Sequence, residues 1–375
     1  MFDEKYMRRA LELAQKGMGH TNPNPMVGAV IVKEGRIIGE GFHERCGEGH
    51  AEVNAFMYCN EDPAGAEMYV TLEPCSHYGK TPPCADLIIS KKISKVYVGA
   101  LDPNPLVAGR GVRKLEDAGI EVKSGILAEE SRSLNEVFMK YIVNKDPFVV
   151  LKAAMSLDGK IATSSGESKW ISCEESRMHA HSLRGRYMAI MAGIGTVLAD
   201  DPELTCRMEG GKNPIRLIVD SSLRIPEDAK VLKGQDKAKT IIATASPKDT
   251  EKRRRIEDRG IRIIDMPMQP ERAGTPDEIK VDIKRFIKTL GEEGIDSILI
   301  EGGGTLAGTI VREGLVDKVF FYIAPMLIGG KAAKTPVEGT GIENLADSVR
   351  LDNVIVHRFG RDIAVEATAA KNVDK

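Results

Sequence analysis

The chain has 375 residues, 42% of them hydrophobic and 29% charged, enough to bury a sizeable core and to build two or three domains of ordinary size. Lys and Arg total 53 against 55 Asp and Glu, so the net charge of -2 lacks the basic excess of a nucleic-acid binder. No apolar run reaches a membrane span, Met1-Phe2-Asp3-Glu4 lacks the basic start of a secretory signal, and six scattered cysteines form no disulfide framework. Cys46, Cys59, Cys173 and Cys206 therefore read as reduced thiols of a cytoplasmic protein.

In chain order, Phe2, Tyr6, Ala10, Leu13 and Ala14 recur at helical spacing and predict a helix over 2–15, with Gly17 as its stop. Asn22-Pro23-Asn24-Pro25 follows. Its X-Pro pairs force extended backbone, and its short amides suit a ligand loop or a plain turn before a strand. Residues 27–33 and 36–42 read as a hairpin around Glu34-Gly35. His43 ends that hairpin close to the segment richest in chemistry, where it can contact a ligand.

That segment runs from His50 to Cys84 and holds His50-Ala51-Glu52, then Pro74-Cys75, then Cys84 after eight further residues. One imidazole and two thiols make a three-ligand zinc set, which keeps a fourth position for water. Zinc lowers the pKa of that water towards neutrality and makes hydroxide available. Glu52 stands too near His50 to be an easy fourth ligand, but it can shuttle protons. Zinc deaminases of bases show the pattern H-x-E…P-C-x-x-C, and the cysteine gap here is wider. The spacing predicts Cys75 in a loop after a strand over 68–72. It puts Cys84 at the start of a helix over 84–92, where the dipole favours thiolate. His50 is expected to open a helix over 50–59. A closed structural zinc site is the bland alternative, and it gives Glu52 and Pro74 no purpose.

A strand over 95–100, the loop Leu101-Asp102-Pro103-Asn104-Pro105, a helix over 111–118, a strand over 120–124 and a long helix over 129–143 complete a layered α/β unit. Asn144-Lys145-Asp146-Pro147 marks a boundary, which divides the chain into domains 1–145 and 146–375. The second domain opens on an apolar run over 148–155, read as a buried strand of a mostly parallel sheet. Lys152 interrupts that run, either as an edge-facing lysine or as a functional one. Ser156-Leu157-Asp158-Gly159-Lys160 turns out of it. A helix over 172–186 starts with a capping box, Ser172 and Glu175. A strand over 188–192 feeds the small-residue loop Gly193-Ile194-Gly195-Thr196-Val197-Leu198-Ala199-Asp200-Asp201-Pro202, where backbone can approach a ligand. Strands are expected over 214–220, 239–245 and 261–266, with helices over 251–259 and 277–290. Lys252-Arg253-Arg254-Arg255 reads as a solvated helix face rather than a nucleic-acid patch. A strand over 297–301, the turn Gly302-Gly303-Gly304-Thr305 and a helix over 306–312 make an anion seat of backbone N–H groups, without the G-x-G-x-x-G spacing. The last strands fall over 319–325 and within 353–368.

On these motifs the chain resembles the bacterial bifunctional riboflavin-biosynthesis deaminase/reductase family over nearly its whole length. In the first half the resemblance rests on Asn22-Pro23-Asn24-Pro25, His50-Ala51-Glu52, Glu73-Pro74-Cys75-Ser76-His77, Gly79-Lys80-Thr81-Pro82-Pro83-Cys84 and Asp102-Pro103-Asn104-Pro105. The eight-residue cysteine gap is that family's own. In the second half it rests on Ser156-Leu157-Asp158-Gly159-Lys160, Gly166-Glu167-Ser168-Lys169-Trp170-Ile171, the stretch from Gly195 to Pro202, and Glu301-Gly302-Gly303.

The resemblance implies a cytidine-deaminase-like three-layer α/β/α domain over 1–145 and a dihydrofolate-reductase-like α/β domain over 146–375. It implies hydrolytic deamination of a diaminopyrimidinone ribosylamine 5′-phosphate, followed by NADPH-dependent reduction of the ribosyl group to ribityl. His50, Cys75 and Cys84 would hold Zn2+, with Glu52 catalytic, and Asn24, His43 and Lys80 would contact the pyrimidine. Ala154, Trp170, Thr196, Asp200, Gly303, Gly304, Thr305, Leu306, Ala307, Gly308 and Thr309 would hold NADPH. Ser168, Arg184, Leu204, Arg207 and Glu301 would hold the second substrate. Lys152 gains a motive as a further substrate contact. Guanidinium groups match a phosphate bidentately, which suits the two arginines. Family members are expected to be homo-oligomers. Two rivals are a nucleic-acid deaminase, which would need a basic groove with stacking aromatics, and a non-enzymatic NADPH-sensing zinc protein, which would have no use for Glu52.

Overall fold

In the computed structural model, which describes residues 3–78, 82–105, 107–246, 250–268 and 280–370, the chain divides into two units, Met1–Lys145 and Asp146–Lys375. The first unit is built on five strands in the order β2-β1-β3-β4-β5. β1 (Gly28–Lys33) and β2 (Arg36–Phe42) form the expected antiparallel hairpin, and β1 also pairs antiparallel with β3 (Glu67–Leu72). β4 (Lys95–Ala100) and β5 (Glu121–Ser124) continue in parallel.

Both faces of this sheet are covered, so its central strands are apolar throughout. On one face α1 (Glu4–Gln15) lays Tyr6, Met7, Ala10 and Leu13 onto Val30, Val32, Tyr69 and Tyr97. On the other, α2 (Ala51–Met57), α3 (Cys84–Ser90) and α4 (Arg110–Asp117) bring Ala55, Ile88 and Leu115 to Ile31, Met68 and Val96. The long helix expected over 129–143 is two helices, α5 (Ala128–Leu134) and α6 (Glu136–Asn144). Asn135 stands at the break. Its side chain accepts from Met26 N at 2.8 Å and donates to Met26 O at 2.9 Å, and so ties the proline loop to this corner. Short polar side chains that bond backbone in this way compete with helix continuation.

The second unit is a nine-stranded sheet in the order β10-β9-β8-β7-β11-β6-β12-β14-β13. Seven strands run parallel: β6 (Phe148–Ser156), β7 (Ala189–Gly193), β8 (Ile215–Val219), β9 (Thr240–Thr244), β10 (Arg262–Asp265), β11 (Ser297–Glu301) and β12 (Lys318–Ala324). The hairpin β13 (Leu351–Phe359) and β14 (Asp362–Ala369) adds two antiparallel strands at one edge. α10 (Ile283–Glu292) and α11 (Gly304–Arg312) pack Phe286, Leu290 and Ile310 on one face. α8 (Ile194–Asp200) and α9 (Glu251–Glu257) pack Ile194, Val197 and Ile256 on the other.

Three expectations are corrected here. The small-residue loop after β7 is the helix α8, because Ile194 and Val197 fall three residues apart and both are buried. α7 (Glu174–Arg186) has Cys173 at its N-cap and no capping box. The buried Asp362 of β14 takes the cap's place, accepting from Cys173 N and from the Ser176 hydroxyl, each at 2.7 Å. In the basic run on α9, Arg254 and Arg255 are exposed as a solvated face requires, with Arg255 holding Glu227 through its Nε and Nη2, but Arg253 departs from it: it is buried and grips Asp265 through both terminal nitrogens. The first residues of the helix expected over 277–290 lie outside the described residues.

Candidate active sites

In the first unit, β3 ends at Leu72 and delivers Cys75, α3 opens on Cys84, and His50 is the N-cap of α2. Cys75 Sγ and Cys84 Sγ lie 3.6 and 3.3 Å from His50 Nδ1, and the three ligand atoms fall within 4.8 Å of one another. A tetrahedral zinc with Zn–S of about 2.3 Å and Zn–N of about 2.0–2.1 Å sets S···N edges of roughly 3.5 Å. The donors therefore fit that ion in spacing as well as in kind. Hydrogen bonding with Cys84 draws the Cys75 thiol down to about 4 against the effect of burial, and Cys84 N donates to its sulfur at 3.2 Å. Contact with Cys75 lifts His50 to about 9. Bonding to Cys75 and burial push Cys84 up. Sulfur charge thus gathers at one point, where a cation is the natural partner.

Glu52 is 4% exposed and lies beside Cys84 and His50; burial raises its pKa. His43 is buried with its ring edge-on to His50, the centroids 5.6 Å apart. Its Nδ1 donates to Gly49 O at 3.0 Å, which leaves Nε2 to accept from Asn24 Nδ2 at 3.2 Å. Asn24 and His43, far apart in sequence, thus form one polar edge beside the cluster. Lys80 lies outside the described residues.

In the second unit the central feature is an ion cluster across adjacent strands. Lys152 on β6 is in register with Glu301 at the end of β11. Glu301 receives Arg184 of α7 through two hydrogen bonds of 3.0 and 2.7 Å, and Lys152 Nζ lies 3.8 Å away. Burial pushes the Glu301 carboxyl up, but Arg184 and Lys152 outweigh it and hold it at about 2. Burial lowers Lys152. Its side chain is 14% exposed and points over the Tyr322 ring, so it is no edge lysine. Tyr322 faces Ala154 in register, and its hydroxyl hydrogen-bonds with His179 Nδ1 at 2.7 Å.

Thr196 sits in the first turn of α8 against Gly302, whose φ of +80° and proximity to Thr196 Oγ1 (2.8 Å from a built Cβ) require glycine. Gly303 is the N-cap of α11. Leu306 and Ala307 turn their side chains into the core, so only their amides can meet a ligand. Gly308 faces the segment around Glu338: a Cβ there would lie 1.6 Å from Glu338 O. Thr305 is exposed, and Thr309 donates its hydroxyl to Thr305 O at 3.1 Å. Ser168 is half-buried, and Asp200 is exposed at the end of α8. Trp170 is 65% exposed with Arg177 stacked on it at 4.5 Å. Leu204 is a core residue with φ +53°, so only its backbone is open to a ligand. Arg207 is exposed, pairs with Glu203 at 3.7 Å, and acts on His181 together with Arg184 and Glu301.

Residues 147–365 match the family described as RibD C-terminal domain, and residues 1–100 match the cytidine and deoxycytidylate deaminase zinc-binding region. The riboflavin biosynthesis protein RibD of Actinobacillus pleuropneumoniae is 47% identical over 98% of this chain and 95% of its own. The chain belongs to the RibD family. Among solved structures, RibD of Acinetobacter baumannii aligns at a TM-score of 0.85 with 38% identity, covering 98% of this chain and 99% of its own. A Thermotoga maritima diaminohydroxyphosphoribosylaminopyrimidine deaminase/5-amino-6-(5-phosphoribosylamino)uracil reductase aligns at 0.82 with 37% identity over 98% of both chains. This RibD-family chain is a bifunctional enzyme of riboflavin biosynthesis, with a zinc-dependent, cytidine-deaminase-like first half and an NADPH-dependent, dihydrofolate-reductase-like second half. The nucleic-acid deaminase and the non-enzymatic sensor are thereby set aside. No helix among the described residues is long and apolar enough to cross a membrane.

Several supports escaped sequence reasoning. Asn135, Tyr322 and Asp362 position these sites from a distance in sequence, and nothing local to them signals it.

Proposed function

We propose that the first half removes an exocyclic amine from a diaminopyrimidinone ribosylamine 5′-phosphate and that the second half reduces the ribosyl group of the product to ribityl. The observation that carries the first step is the meeting of His50, Cys75 and Cys84 beside a buried Glu52. Zinc held there supplies the acidity that brings water towards ionisation at neutral pH. Glu52 takes the proton of the attacking water and then delivers it to the leaving nitrogen, base first and acid second. Asn24 and the neutral His43 present an amide and an imidazole edge to the pyrimidine, with Lys80 as a further contact. In the second half, NADPH supplies the hydride. Ala154, Trp170, Thr196, Asp200 and the stretch from Gly303 to Thr309 hold that cofactor, the early α11 amides taking its phosphates. Lys152, Ser168, Arg184, Leu204, Arg207 and Glu301 hold the substrate, whose phosphate suits Arg207.

The test is incubation of the protein with the ring-opened, GTP-derived diaminopyrimidine phosphate, read by mass spectrometry. Without NADPH the mass should change by exchange of an amine for oxygen; adding NADPH should then add two hydrogens. Glu52→Gln should keep its zinc and lose the first change. A variant that still deaminates would remove the shuttle role.

The same proposal places the enzyme in the cytoplasm, where thiols stay reduced, as a homo-oligomer. The edge strand β13 supports assembly: Val354, Ile355 and Val356 are 58%, 51% and 66% exposed. Light scattering should show Val356→Lys dissociating the native assembly; a wild type that is monomeric would end that part of the proposal.

A further inference from the structure

Glu73 directly precedes Pro74-Cys75, and neither metal binding nor proton transfer uses it. The residue is 4% exposed, and its carboxylate is surrounded by backbone amides. One oxygen accepts from Asp102 N at 3.2 Å and Gly109 N at 2.9 Å. The other accepts from Gly111 N at 2.9 Å and Val112 N at 3.3 Å. The second pair belongs to the first turn of α4, whose N-cap, Gly109, has no side chain to offer. A carboxylate borne on the end of β3 therefore caps a helix from outside. An acceptor-only anion is the right group to meet four donors at a helix N-terminus. The same contacts reach the metal cluster from two directions. Gly111 packs so tightly on the ligand segment that a Cβ would lie 2.0 Å from Pro74 O. The Asp102 carboxyl, pushed up to about 6 by burial first and by Glu73 next, also lies within the field of Cys75.

We propose that Glu73 is a positioning residue of the deaminase: it fixes Asp102 and the first turn of α4 as a wall set against the Pro74-Cys75 ligand segment. This rests on the deaminase reading of the cluster. Glu73→Gln keeps the shape and one accepting oxygen but turns an NH2 donor onto two amide donors. The α4 dipole retains the oxygen, so the mismatch falls on Asp102 and Gly109. Gly111→Ala pushes the same wall off Pro74 and keeps the carboxylate's charge, although its Cβ would also meet Glu73 Cγ and Oε1 at 3.2 Å.

The experiment compares wild type, Glu73→Gln and Gly111→Ala as full-length, zinc-loaded proteins. It measures zinc content, ammonia release from the pyrimidine phosphate, NADPH-dependent reduction, and hydrogen exchange across residues 101–112. In both variants zinc and reduction should match wild type and exchange should quicken. KM for deamination should rise about tenfold in Glu73→Gln, the size of a lost hydrogen bond to a charged group, and should rise in Gly111→Ala through displacement of the same wall, with kcat far less affected in both. Quickened exchange with unmoved KM would make Glu73 a helix cap only and overturn the proposal. Loss of zinc in step with activity would overturn it too, since Glu73 would then serve metal retention. A wild type that releases no ammonia would sink the deaminase reading and this proposal with it, whereas an active wild type with unaffected variants would sink the proposal alone.

Discussion

Glu301 shows how much a single carboxylate can organise. It is buried, joined to Arg184 by two hydrogen bonds and within 3.8 Å of Lys152. Breaking such a buried group leaves uncompensated positive charge, at a cost of roughly 3–5 kcal/mol. Glu301→Gln should therefore destabilise the second unit near neutral pH. The pH dependence has a definite sign. The folded carboxyl titrates at about 2 against an ordinary 4.5, so its stabilising contribution is complete above about 4.5 and disappears as pH falls towards 2. Urea unfolding should show a smaller gap between wild type and variant at pH 3 than at pH 6. Equal gaps would mean that the charge at Glu301 contributes nothing. Much at this scale was legible in the sequence: His50, Glu52, Cys75 and Cys84 announce themselves by chemistry and spacing. Lys152 was conspicuous as a charge in an apolar run, but only the register of β6 with β11 gives it a partner.

At the scale of elements, strands were read more faithfully than helix ends. Apolar runs such as the one ending at Glu301 define their own limits, whereas caps and breaks depend on distant groups. Ser172 and Glu175 form a capping pattern in sequence, yet Asp362 does the work from β14. The break at Asn135 follows from Met26, more than a hundred residues earlier. Gly304 and Gly308 in α11 look like a loose phosphate turn. The fold gives them a second purpose, because the backbone around Glu338 crosses that helix and Glu338 N donates to Gly304 O at 2.9 Å. Gly308→Ala should overpack this crossing at a cost of about 1–3 kcal/mol. Calorimetry should then record a melting midpoint lower by roughly 2–4 °C per kcal/mol for a unit of this size. An unchanged midpoint would mean that the crossing segment yields freely.

At the scale of the whole molecule, the two chemistries rest on separate units, Met1–Lys145 and Asp146–Lys375. Each has its own sheet, and the candidate zinc ligands lie wholly in the first. Stripping zinc with a chelator should abolish deamination, leave NADPH-dependent reduction of the deaminated substrate intact, and be reversed by added zinc. A parallel loss of both activities would show that the halves are not independent in this respect. The latch between β14 and α7 has a practical corollary. Asp362 is wholly buried and secures the start of the helix that presents Arg184. Anyone attaching a reporter near the end of β14 should leave Asp362 and the closing hairpin untouched, because losing it would strip the buried acceptor from the start of α7, the helix that carries Arg184.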